Sequence, residues 1–306
     1  MTLTLRQLEV FLALAKHEHV GRAAEAVNLS PSATSSALAA LEDALGHTLF
    51  DRAGRGLRLN ADGRRLRGPA RATLDAARET EALLGTDRGG RLVVGASTTI
   101  ANHVLAPALA SFAADRLAAD LRLVVGNTRE IRDRLLDVAL DLAYVEGPTS
   151  HPELEATPWR EDRLVVFAAP DHPLAGAGLL GADALDHQWV LREEGSGTRE
   201  VFVRALGDSV DRLQCVLEVG SSEAVARAVE AGGGLGVLSR LAVARDVEAG
   251  RLVELASPWD LSRTLWRLTH RHASAGRLVE AFVEHLDGDS PDEAEADRPV
   301  KQDGAY

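Results

Sequence analysis

The sequence has little cysteine, no long apolar run and no overall basic charge, and each absence narrows what the chain can be. Cys215 is the one cysteine among 306 residues. A lone thiol closes no intramolecular disulfide and builds no zinc knuckle. Its setting, LQCVLEV at 213–219, is an apolar alternation that predicts a thiol packed in a core. No stretch of about 18 apolar residues occurs, so no transmembrane helix is expected. The first residues enter a charged amphipathic pattern (Arg6, Glu9, Lys16, Glu18), unlike a secretory leader. These features predict a cytoplasmic protein with no membrane partner. The histidines lack ligand spacing, His17/His19 and His270/His272 being two apart, so neither a metal nor another cofactor is expected. Enzyme signatures fail on context. Gly195-Ser196-Gly197 lacks the spacing of a nucleophile elbow. Gly232-Gly233-Gly234-Leu235-Gly236 follows a helix and precedes a strand, the reverse of a dinucleotide loop, and reads as a helix C-cap. No enzyme is expected.

The net charge of −12 argues against a nucleic-acid partner only until it is partitioned. Residues 1–80 carry 11 Lys+Arg against 9 Asp+Glu. Positions 52, 55, 58, 64, 65, 67 and 71 are arginine, with Asp62 the one acid between 52 and 71. A local cluster is what phosphate contact needs. The plain alternative is a solvated arginine face.

What is present is a patterned chain long enough for two or three domains. Residues 20–42 read as two short helices at a tight corner. Ala23, Ala24, Val27, Leu29, Ala33, Ala37, Leu38 and Leu41 recur at three- and four-residue steps. Ser30 can cap the second helix and Pro31 fits its first position. This arrangement is the helix-turn-helix, whose second helix enters the DNA major groove. Thr4 and Gln7 have capping-box spacing for a helix ahead of it. Residues 48–63 read as a β-wing turning at Gly54-Arg55-Gly56. A long helix over about 61–85 carries a seam of Leu66, Ala70, Thr73, Ala77, Thr80 and Leu84, which suits pairing with a second chain or a single amphipathic connector. A hinge follows at 86–90.

From Arg91 short apolar strands alternate with helices, the pattern of an α/β domain with mostly parallel strands. Breaks at Pro158-Trp159 and near Trp259–Arg263 suggest that the chain enters a second lobe and returns. Residues 287–306 are acidic and read as a disordered tail. Two strand-to-helix turns could face the cleft between lobes: Ser97-Thr98-Thr99, and 192–199 with Ser196 and Thr198. Hydroxyls and free N–H groups at a helix start make a neutral anion site. Ordinary helix capping by Ser and Thr is the alternative. Glu146 would lie near the hinge, and Ser221-Ser222-Glu223 at the next helix start.

In this order of elements, residues 3–286 resemble the LysR-type transcriptional regulators. The resemblance rests on Phe11, Ala23-Ala24, Ser30, Ser35, Leu41-Glu42, Leu45-Gly46, Leu49-Phe50-Asp51-Arg52 and Leu59. It departs at His19-Val20, Pro31 and Ser36-Ala37. It implies an α/β architecture with an N-terminal winged helix-turn-helix (1–60), a linker and dimerisation helix with hinge (61–89), and a two-lobed periplasmic-binding-protein-like effector domain. Lobe I would comprise 90–160 and 262–286, and lobe II 161–261. The implied partners are double-stranded, pseudo-palindromic promoter DNA, a small anionic effector, and further copies of the chain in a homodimer or homotetramer. Pro31, Ser32, Thr34, Ser35 and Ser36 would meet DNA from the exposed side of the second helix, and Arg52, Arg55, Arg58 and Arg64 from the wing and linker. Ser97, Thr98, Thr99, Glu146, Ser196, Thr198 and Ser222 would meet the effector. The GASTT…EGP…EGSGTRE set is similar to a subgroup regulating sulfur assimilation or carbon fixation, which implies a sulfur oxyanion or a phosphorylated or carboxylated metabolite. A solute-binding receptor with a vestigial head is the competing reading, opposed by the arginine wing.

Overall fold

The computed structural model describes residues 3–288 apart from 54–55, 85–89, 117–118, 148, 177 and 272–275. Three helices, α1 (Leu5–His17), α2 (Val20–Ala26) and α3 (Pro31–Leu45), form a head. The Thr4 side chain accepts from Gln7 N while Gln7 reaches back to Thr4 N, a complete capping box. Ser30 Oγ accepts from Ala33 N at 3.2 Å, and Pro31 occupies the first turn of α3, where no N–H is needed. Phe11, Leu14, Ala23 and Leu41 fill the core. The antiparallel pair β1 (Phe50–Ala53) and β2 (Gly56–Leu59) closes one side, and the rings of Phe11 and Phe50 meet edge to face at 5.8 Å.

The long helix α4 (Ala61–Leu84) starts where Asn60 Oδ1 accepts from Gly63 N at 2.9 Å. The expected seam is already spoken for along its first turns. Ala70 and Leu66 pack onto the head, and Leu74, not Thr73, is the next buried position. The Thr73 and Thr80 hydroxyls donate to the carbonyls of Pro69 and Ala76, one turn back.

Beyond α4 lies a nine-stranded sheet in the order β4-β3-β5-β11-β6-β9-β7-β8, with β10 beside β6. Its first half holds β3 (Arg91–Ser97), β4 (Asp120–Gly126) and β5 (Leu142–Glu146), mutually parallel. The helices α5 (Thr98–Ile100) and α6 (Ala106–Ala114) are joined by one widened turn, and α7 (Thr128–Leu136) links β4 to β5. Strand β6 (Leu154–Ala168) runs unbroken through Pro158-Trp159, where a break was expected. It carries the chain into the second half: β7 (Gln188–Arg192), α8 (Gly197–Leu206), β8 (Gln214–Val219), α9 (Ser222–Glu230), β9 (Leu235–Ser239), α10 (Arg240–Glu248) and β10 (Val253–Leu255). Strand β11 (Ser262–His270) returns antiparallel to β6, and α11 (Arg277–Gly288) packs Phe282 against Phe112 of α6. Strands β6 and β11 therefore carry the chain from the first half to the second and back. Pro158 is tolerated there because β6 is spared a regular ladder where the β6–β11 register shifts.

Cys215 corrects its expectation, for it is exposed. Strand β8 is the sheet edge, and its register with β7 shifts between Trp189 and Val190. An apolar alternation on an edge strand has one neighbour only, and here no described residue covers Gln214–Glu218. No helix among the described residues is long and apolar enough to cross a membrane.

Candidate functional site

Two candidate surfaces result, one on the head and one between the halves of the sheet. On α3, Pro31, Ser32, Ser35 and Ser36 are exposed, as expected. Thr34 is a correction. It is fully buried, and its hydroxyl donates to Ser30 O at 3.0 Å. It stands four and seven residues before Leu38 and Leu41, so the helical period turns it to the core.

On the wing, Arg52 and Arg58 are exposed. Arg52 is opposite Leu57 and Arg58 is opposite Asp51. Because side chains alternate along a strand, the two arginines lie on opposite faces of the ribbon. Arg55 falls outside the described residues. Arg64 is exposed on α4, with its guanidinium donating to Leu59 O at 2.8 Å. Leu57 N donates to Glu18 O at 3.2 Å, which moors the wing to the end of α1.

Between the halves the expected residues converge. Ser97 ends β3 and Thr99 lies in α5, both buried, with Thr98 half-buried beside them. Glu146 ends β5, is 2% exposed, and precedes Gly147 at φ +89°. From the other half come Ser196 and Thr198 at the start of α8, also buried. The two halves touch. Thr198 Oγ1 donates to Glu146 Oε2 at 3.0 Å and Arg129 N donates to Gly195 O at 3.3 Å, while within the first half Thr128 Oγ1 donates to Glu146 O at 3.4 Å. Gly197 is required by this approach, since a Cβ there would lie 2.3 Å from Glu146 O. Ser222 is buried but engaged, its hydroxyl accepting from Arg192 Nη1 at 3.0 Å.

The sequence reading missed the charges that organise this cleft. Arg263 of β11 donates from Nη1 to Glu146 Oε2 at 3.0 Å and to Thr198 Oγ1 at 3.1 Å. Its Nε donates to Asp162 Oδ2 at 2.7 Å, and Ser239 Oγ holds the other Asp162 oxygen at 2.8 Å. Arg192 is clamped by Glu193 through Nε and Nη2, at 2.8 and 2.9 Å. Burial pushes the Glu146 carboxyl up, but the Arg263 charge and the hydroxyls of Thr99 and Thr198 outweigh it and hold the carboxyl below its ordinary value. Five buried polar atoms here complete no hydrogen bond: Ser97 Oγ, Thr99 Oγ1, Ser196 Oγ, Glu146 Oε1 and Arg263 Nη2, the last ion-paired with Asp162 Oδ2 at 2.6 Å. The one available signal for Arg263 was a charged residue within the otherwise alternating strand SRTLWRLTH.

Comparison with known proteins shows the family of the chain. Residues 5–64 match the bacterial regulatory helix-turn-helix of the lysR family, and residues 85–289 match the LysR substrate binding domain. The chain is 39% identical to the Escherichia coli helix-turn-helix transcriptional regulator YeiE, over 94% of this chain and 98% of that one. It is 35% identical to the RuBisCO operon transcriptional regulator of Allochromatium vinosum, over 89% of this chain and 91% of the relative. Among solved structures, full-length OxyR from Pseudomonas aeruginosa shares the fold, with TM-score 0.71 at 23% identity over 94% of this chain and 95% of that one. The Synechocystis CcmR regulatory domain in complex with 2-PG matches with TM-score 0.61 and 28% identity, over 66% of this chain and 97% of its own.

Proposed function

The chain belongs to the LysR family of bacterial transcriptional regulators, and we propose that the two surfaces described above are its DNA-reading and effector-binding sites. It is a DNA-binding regulator with an effector domain. The finer reading divides it as 1–60 for the DNA head, 61–89 for the linker, 90–160 with 262–286 for lobe I, 161–261 for lobe II, and an acidic tail. The protein acts in the cytoplasm and binds its effector without transforming it.

On the head, Pro31, Ser32, Ser35 and Ser36 meet base edges or phosphates, while Thr34 supports the helix from beneath. Short hydroxyl side chains make no bidentate base pairing of the Arg–guanine or Asn–adenine kind. Affinity therefore comes largely from Arg52, Arg55, Arg58 and Arg64 on the DNA backbone and minor groove. Arginines on opposite faces of a narrow ribbon suit an edge-on entry, with one cation facing each phosphate strand. Two heads on a homodimer read half-sites about one helical turn apart. The outer stretch of α4, with Ala77 and Thr80, supports that pairing, and two dimers give the homotetramer.

In the cleft, Ser97, Thr98, Thr99, Glu146, Ser196 and Thr198 surround a small oxyanion, with Ser222 setting Arg192 behind them. The observation that carries this reading is the meeting of two hydroxyl-bearing strand-to-helix turns across one buried cleft. The class is a sulfur oxyanion or a phosphorylated or carboxylated metabolite. It is supported by relatives named for the RuBisCO operon and by the 2-PG complex of the CcmR domain. Effector binding shifts the population between assemblies to the extent that it binds them differently.

A gel shift on the DNA upstream of its own gene tests the DNA reading. Retardation that falls steeply with salt is expected. No retardation at low salt would leave the protein a solute receptor and sink this reading.

A further inference from the structure

The cleft is unbalanced in a way that specifies its ligand more narrowly than "small anion". Three of its five unsatisfied atoms are neutral hydroxyls on Ser97, Thr99 and Ser196, the fourth is Glu146 Oε1, and the fifth, Arg263 Nη2, is already ion-paired with Asp162 at 2.6 Å. The Thr99 hydroxyl lies close enough to the Glu146 carboxyl to favour its ionised form as a hydrogen-bond donor, although neither Thr99 Oγ1 nor Glu146 Oε1 completes a bond of ordinary geometry. A hydroxyl can serve an acceptor on the ligand. An ionised carboxylate oxygen can only accept. The cations nearby are already committed. Arg263 is shared between Glu146 and Asp162, and Arg192 is held by Glu193 and Ser222. Buried Glu146, Asp162 and Arg263 together sum to one negative charge, so a fully deprotonated oxyanion placed against Glu146 would add like charge in a site of low dielectric.

Resting on the effector reading above, we propose that the effector is a small oxyanion carrying its own hydrogen-bond donor, a hydroxyl or an acid proton, which it gives to Glu146 Oε1. Its other oxygens accept from Ser97, Thr99 and Ser196. Glu146 is then the residue that tells a protonated oxyanion from a bare one of the same shape. Leaving a buried acceptor unpaired is costly, and sites built on that cost discriminate far better than those built on shape alone. Arg263 acts as a positioning residue, fixing Glu146 through Oε2 so that Oε1 faces the cleft.

The test uses the full chain and two matched pairs of probes: inorganic phosphate against sulfate, and glycolate against acetate. In each pair the first member has a donor that the second lacks. Isothermal titration at neutral pH should give the donor-bearing member at least about tenfold tighter binding, a difference of about 1.4 kcal/mol. Glu146→Gln offers an N–H as well as an acceptor, and should shrink that ratio toward one. Ser196→Ala should weaken both members and keep the ratio. If sulfate and acetate bind as well as phosphate and glycolate to the natural chain, the donor requirement is wrong while the anion reading survives. If none of the four binds, both fall. Should Glu146→Gln fail to fold, the ratio in the natural chain still decides.

Discussion

The head and the cleft both present serine and threonine at helix starts, yet they use them in opposite surroundings. Ser32, Ser35 and Ser36 stand in solvent, beside a wing whose Arg52 and Arg58 are also exposed. Ser97, Thr99, Ser196 and Thr198 are buried, beside arginines already paired with carboxylates. In water a hydroxyl competes poorly for a partner, and long-range charge supplies the affinity. In the cleft, burial makes the same hydroxyl selective, because an unmet hydrogen bond there has no water to fall back on. One residue type thus supports register in one place and discrimination in the other.

The comparison breaks most visibly at Arg263. Arg263→Ala leaves Glu146 and Asp162 buried and uncompensated, and should destabilise the effector domain by about 3–5 kcal/mol, read by thermal or urea unfolding. A loss below about 1 kcal/mol would mean that the cleft is as wet as the head. The pH dependence has a definite sign. A carboxyl held below its ordinary value contributes stability above that value and loses it as the pH falls, so the Glu146 contribution should fade on the acid side of about 4.3.

The next effect concerns the wing. Arg52→Ala with Arg58→Ala should weaken binding to all DNA sequences alike and flatten the salt slope by about 2, one for each lost phosphate contact. An unchanged slope would remove the arginines from the interface. The smallest effect is at the join between head and sensor. Arg67 of α4 donates to Asp137, just past α7, at 2.8 Å, and Asp137 is largely exposed. Asp137→Asn should cost at most about 1 kcal/mol of stability. Effector affinity should be unchanged, while the effector's influence on DNA retardation weakens. Equal influence in the variant and the natural chain would make the contact ornamental.

Much of this was legible because local chemistry announces itself. Thr4 with Gln7, Ser30 before Pro31, and the alternation of strands after Arg91 each follow from rules that span a few residues. Thr34 was also within reach, since its spacing to Leu38 and Leu41 already turned it inward. Other features depend on partners far along the chain. Arg263 is 117 residues from Glu146, and its position in an alternating strand says nothing of what crosses beneath it. Cys215 looked like core because alternation reports one apolar face, not whether anything covers that face. Along α4 the modest seam was visible, but the head's claim on Ala70 and Leu74 required the folded packing.

Helix α7 has a consequence of a mechanical kind. At its start Thr128 holds Glu146 of its own half and Arg129 touches Gly195 across the cleft, and at its end Asp137 grips the linker. Val138 follows at φ +51°, a conformation a β-branched residue avoids, so this corner is held by its surroundings and has little slack. Nine residues make a rod about 13 Å long. A tilt of about 10° at the cleft end would carry the far end about 2 Å along the linker, enough to part a hydrogen bond. A ligand no larger than a few atoms, seated where α7 begins, would then be felt as a change of aim where α4 points its head.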